Sequence, residues 1–171
     1  METRGYYEAL ALLQSVTDGG HGLLRAALRE RLDRDLEVIF RLLGLQYPQK
    51  DIFFAYSALR STQADRRASA VEFLDNVLSK NLKSLIVPLL EESSPARLIE
   101  HASRQFGIRT PGRETALRSI MEQPDSWLRA CAAHEIGRAG LSSLAHMCRK
   151  AAGDGDPVVR ESAEWALRRI T

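Results

Sequence analysis

Three short stretches gather side chains that could do chemistry. His134-Glu135 opens like the zinc-protease pattern in which two histidines one helical turn apart share a face and the glutamate serves as base. The second histidine would fall at position 138, which is arginine, so that chemistry is excluded. His146-Met-Cys148 offers two soft metal ligands, but residues two apart on a helix point to different sides, so a surface histidine beside a core thiol is the better account. Asp18-Gly-Gly-His-Gly22 has the glycine content of a phosphate-cradling loop. No strand pattern precedes it and no Gly-Lys-Ser/Thr follows, so it reads as a turn. Nowhere do serine, histidine and acid share a recognisable nucleophile context. The sequence therefore assigns no catalytic residue, metal ligand or cofactor, and the chain is expected not to be an enzyme.

A fourth pattern looks like catalytic equipment but occurs twice. Asp125, Arg129, Ala132 and Ile136 recur as Asp156, Arg160, Ala163 and Leu167, at a spacing of 31 residues. Self-similarity at this period is the signature of stacked helical hairpins. Two earlier helices fit the register, giving Ala70, Ala102, Ala132 and Ala163, followed by Leu74, Phe106, Ile136 and Leu167. Arginine precedes the alanine as Arg67, Arg129 and Arg160, while Ile99 departs from the rule. Alanine suits closely crossed helices. The acids can cap their helices, and the arginines can reach a neighbouring repeat's acid or carbonyls. Arg67, Asp125, Arg129, Asp156 and Arg160 thus read as an internal structural ladder, since repeat arrays are held by nearest-neighbour terms.

The helices that carry this register follow from apolar spacing and breakers. Arg4 to Val16 turns Tyr6, Ala9, Leu10, Leu13 and Val16 to one side, and the glycine turn ends it. A long helix from Leu23 to about Gly44 carries a mixed-sign charged face that includes Asp33, Arg34 and Asp35, expected to be solvated. After Tyr47-Pro48, residues 51–59 form a helix with Ile52, Phe53, Tyr56 and Leu59 inward. Second helices are expected at 81–92, 112–122 and 141–152, with Pro88 imposing a kink or a late start on the first. Ser93-Ser-Pro95 should cap and initiate the helix bearing Ala102. The last helix, 157–170, has no second helix after it.

Composition narrows the function classes. The 171 residues are 44% hydrophobic but only 6% aromatic, enough for a continuous helical core. Twenty-four basic and 22 acidic residues leave a net charge of +2, a weak field for a phosphate-tracking groove. Cys131 and Cys148 show no metal or redox spacing and no secretory leader is read, so reduced thiols in a cytoplasmic protein are expected. No apolar run approaches the ~20 residues that span a bilayer. A local basic excess remains on the second helices: Lys80 and Lys83, Arg113 and Arg118, Arg149 and Lys150. Lys83, Arg113, Arg118, Arg149 and Lys150 form the candidate ridge for a protein partner or acidic segment, with a nucleotide or nucleic acid as the less favoured occupant.

The Asp-Ser-Trp-Leu-Arg129-Ala-Cys-Ala-Ala-His-Glu-Ile and Asp-Pro-Val-Val-Arg160-Glu-Ser-Ala-Glu-Trp-Ala-Leu segments resemble short bacterial HEAT repeats. The likeness is good over 125–171, fair over 64–92 and weak over 93–122. It implies one right-handed all-α solenoid of about five helical hairpins over 1–171. Degenerate helices would occupy 1–61 and repeats 62–171, the last of them incomplete. Residues 36–48, 51–59 and 70–78 are further similar to soluble HEAT regions of bacterial membrane proteins resembling ATP/ADP transporters. That likeness implies a cytoplasmic part of a longer, membrane-associated protein. The resemblance implies a non-enzymatic scaffold binding a protein on its concave face. HEAT-like DNA glycosylases and phycobilin lyases supply the alternative, a nucleic-acid-processing or modifying module.

Overall fold

The computed structural model describes residues 2–16, 22–91 and 94–170. Ten α-helices and one short 3-10 turn account for nearly all of them: α1 (Glu2–Ser15), α2 (Leu23–Gln46), α3 (Gln49–Leu59), α4 (Ala64–Val77), α5 (Lys80–Glu91), α6 (Pro95–Phe106), α7 (Arg113–Met121), α8 (Ser126–Arg138), the turn at Ser142–Leu144, α9 (Ala145–Ala151) and α10 (Pro157–Ile170). Helices pack largely on their neighbours in sequence: α3 on α4, α4 on α5, α7 on α8 and α9 on α10. The most extensive packing joins α8 to α10, the two helices that carry the 31-residue motif. No helix among the described residues is long and apolar enough to cross a membrane. The glycine turn at 18–22 lies outside the described residues except for Gly22, as does Ser93.

The chain resolves into two compact units, and neither is contiguous. The first comprises Met1–Leu10 and Leu32–Arg109; the second comprises Ala11–Arg31 and Thr110–Thr171. The divisions at Leu10/Ala11 and Arg31/Leu32 fall within α1 and α2.

In the first unit Tyr7, not Tyr6, is the fully buried ring of α1. It packs against Phe106 and His101 with ring centroids 5.5 and 5.8 Å away. Burial pushes its phenol pKa up, and its hydroxyl donates to the Leu85 carbonyl at 3.4 Å. Asp35 is buried rather than solvated, because it lies on the side of α2 that carries Leu32, Ile39 and Phe40 inward. The late start allowed for α5 is not seen: the helix begins at Lys80 and includes Pro88, which forfeits the bond to the carbonyl four residues earlier. Pro95 opens α6 as its first helical residue, but Ser94 makes no side-chain cap.

The second unit is built around α8. Leu128, Cys131, Ala132 and Ile136 join Leu24 and Leu28 of α2, Leu117 and Ile120 of α7, Cys148 of α9 and Ala163 of α10 in one apolar cluster. Burial raises the Cys148 thiol pKa and, with nearby carboxylates, pushes Cys131 up to about 11. Two helices, α8 and α10, approach closely at Gly137. A Cβ there would lie 2.5 Å from the Ala166 Cα, 2.8 Å from its Cβ and 2.9 Å from the Trp165 ring.

Candidate functional site

The motif residues are held by short polar contacts around the helix starts. Asp125 caps α8 by accepting from the Leu128 amide at 3.1 Å, and Asp156 accepts from the Val158 amide at 2.9 Å. A hydrogen bond from the Ser126 side chain, with those from the Val158 and Val159 amides, lowers the Asp156 carboxyl pKa. Arg129 pairs with Asp154 at 3.2 Å, and the Asp154 carboxylate also accepts the Asp156 amide at 3.0 Å. Arg160 donates to the carbonyls of Asp154 and Gly155 at 2.8 and 2.9 Å, in the loop leading into its own helix. Arg67 donates to the Ser61 carbonyl at 2.8 Å, the same reach of six residues back. Arg129 thus ties α8 to the α9–α10 loop, whereas Arg67 and Arg160 brace the turns before α4 and α10. Asp154, which organises three of these bonds, carries no distinguishing mark in a loop that also contains Asp156.

Glu135 forms the densest charge cluster. Its side chain is only 9% exposed and accepts from Arg113 Nη2 at 2.6 Å and from Arg138 Nε and Nη2 at 2.9 and 2.8 Å. Burial would push its carboxyl pKa up; the hydrogen bonds and charges of Arg138 and Arg113 outweigh that and hold it below the ordinary value. A Cβ on Gly22 would lie 3.8 Å from Glu135 Oε2, which sets the carboxylate near the start of α2, where exposed amides favour negative charge. A carboxylate so neutralised is a poor proton acceptor, and the cluster reads as a clamp joining α7 to α8. Neighbouring His134 stacks on the Trp165 ring at 4.4 Å, and the Arg169 guanidinium lies 4.8 Å from the same ring. His146 is exposed with its Nδ1 3.1 Å from the Ser143 carbonyl, while Cys148 is buried. Among the described residues no group of three or more His, Cys, Asp and Glu could hold a metal ion.

The basic second-helix residues divide between the two units. In the first, Lys83 pairs with Asp75 at 3.0 Å. In the second, Arg113 is engaged by Glu135, while Arg118, Arg149 and Lys150 are exposed.

A different surface of the first unit stands out. Ile52 and Ala55 bury the inner side of α3, but Phe53 and Phe54 are 63% and 68% exposed, contrary to the inward placing expected of Phe53. Successive residues of a helix point to different sides, so the four-residue apolar run Ile52-Phe-Phe-Ala55 must turn part of itself outward. Leu45, at the end of α2, is 84% exposed. Beside these residues a groove of about 910 Å³ runs between α2 and α3, floored by Phe40, Ile52 and Tyr56. Phe54 also borders a second groove of about 420 Å³, between α3 and α4. Glu37 and Arg41, paired at 2.6 Å, flank the larger groove together with Lys50.

Fold and surface together define an all-α protein of helices packed largely in sequential pairs, with an exposed apolar face on α3. No family model matches the chain, and no curated protein or solved structure is significantly similar to it.

Proposed function

We propose that the chain is a non-enzymatic, HEAT-like α-solenoid module that works by binding a protein through its surface, as a scaffold or as the regulatory region of a larger assembly. The observation that carries this reading is the apolar face of α3: large exposed patches rimmed by polar residues mark interaction sites on soluble proteins. The paired packing of helices and the buried alanines at 70, 102, 132 and 163 support the repeat reading. The binding surface moves away from the basic ridge, because Lys83 and Arg113 already have acidic partners within the chain. The same pairs weaken the nucleic-acid alternative, which needs bases free to displace counterions. Photo-crosslinking from benzoylphenylalanine placed at position 53, with position 118 as control, tests both surfaces. Adducts to protein at 53 support the proposal; adducts only at 118, or salt-sensitive DNA binding lost when Arg118, Arg149 and Lys150 are neutralised, refute it.

A further inference from the structure

The geometry of the α3 face points to a second copy of this chain as its occupant, an inference that rests on the interaction reading above. The patch carries both halves of a packing surface. Phe53 and Phe54 form a ridge, with ring centroids 6.3 Å apart, and a groove opens on each side of it, since Phe54 borders both. A two-fold interface requires this self-complementarity, because the same patch must supply the protruding and the receiving surface.

The charges around the patch agree with that choice. Glu37, Asp51 and Asp65 offer three acids, and Arg41, Lys50 and Arg66 three bases, all beside the grooves. This rim is neutral, so it selects neither a strongly acidic nor a strongly basic partner; Glu37 and Arg41 already pair with each other, and a second copy, carrying the same mixed set, meets it without a charge excess. The area is also of the right order. Leu45, Phe53 and Phe54 together expose on the order of 400 Å² of mainly apolar surface. That is about half of the ~800 Å² per partner of a standard stable interface, the groove walls and charged rim supplying the rest.

Sedimentation equilibrium on the full chain, from low micromolar to ~100 µM, tests the proposal. The expected result is a mass approaching twice that of the protomer. Leu45→Lys and the double variant Phe53→Asp/Phe54→Asp should each weaken association at least 100-fold. Their far-UV circular dichroism should be unchanged, because the altered side chains are mostly exposed. A monomer at every concentration, or a dimer indifferent to both substitutions, overturns the proposal. The position-53 crosslinker separates the two levels of argument. A monomer that still forms adducts to another protein overturns self-association and leaves the interaction reading standing; a monomer with no adducts removes both.

Discussion

Replacing Gly137 by alanine sets two physical effects against each other at one site. In an exposed helix the change stabilises by ~0.5–1 kcal/mol, because glycine loses more backbone entropy on folding. At position 137 the added methyl would sit 2.5 Å from the Ala166 Cα, so α8 and α10 would have to separate. Overpacking of this kind costs ~1–3 kcal/mol. The contact is backbone against backbone at the most extensive helix pair, so the upper half of that range applies, and a net loss of ~1–2 kcal/mol is expected. Gly5→Ala in α1, in the first unit, is the control, since a Cβ there meets nothing within 4 Å; it should raise the melting temperature followed by circular dichroism. Both tryptophans, Trp127 and Trp165, lie in the second unit, so tryptophan fluorescence during urea denaturation reports on the unit that contains Gly137. The midpoint should fall for Gly137→Ala, with the melting temperature lower by roughly 2–8 °C for a chain of this length. A midpoint equal to or above that of the parent would refute the close crossing, and with it the register that places α8 on α10.

Further outcomes follow from the polar contacts. Glu135→Gln should cost ~1–3 kcal/mol, less than a fully buried pair because Arg113 and Arg138 remain partly solvated; denaturant titration measures it. Because the folded pKa of Glu135 is lowered, its stabilisation is present above the ordinary carboxylate value and is lost as pH falls through the folded value. The parent should therefore lose more stability than Glu135→Gln as denaturation is repeated at decreasing pH below about 4.5. Removing the α8 cap with Asp125→Ala should lower stability by ~1 kcal/mol. Ala132→Leu, at a fully buried position, should cost ~1–3 kcal/mol by overpacking. Finally, Cys131 and Cys148 should resist a thiol-specific disulfide reagent at pH 8 in the folded protein and react within the unfolding transition, since burial both hides them and keeps them protonated.

Local rules made much of the fold readable. Apolar spacing and breakers place the helices to within a few residues, and Asp125 announces a cap because a carboxylate three residues before a backbone amide has one obvious use. The alanine register is legible because repetition at one spacing reports a shared packing position. Features that depend on two distant segments are not legible in this way. Glu135 and Arg113 stand 22 residues apart on different helices, and nothing in either neighbourhood names the other. Gly137 could have been noticed, since glycine inside a helix is costly unless something approaches closely, but the sequence does not name Ala166 as the neighbour. The α3 face is hidden for another reason. Apolar residues on every side of a short helix predict burial, and only the arrangement of neighbours shows which side has no cover.

The discontinuity of the two units has a consequence for synthesis. Leu12, Val16, Leu24, Ala27 and Leu28 belong to an apolar cluster otherwise completed by residues beyond Thr110, so they emerge from the ribosome long before those partners. At ~5–20 residues per second, residues 32–109 alone take on the order of 10 s to appear. During that interval the segment Ala11–Arg31 carries unsatisfied apolar surface while the intervening unit is still being made. Chaperone dependence and premature aggregation should therefore be governed by this early segment.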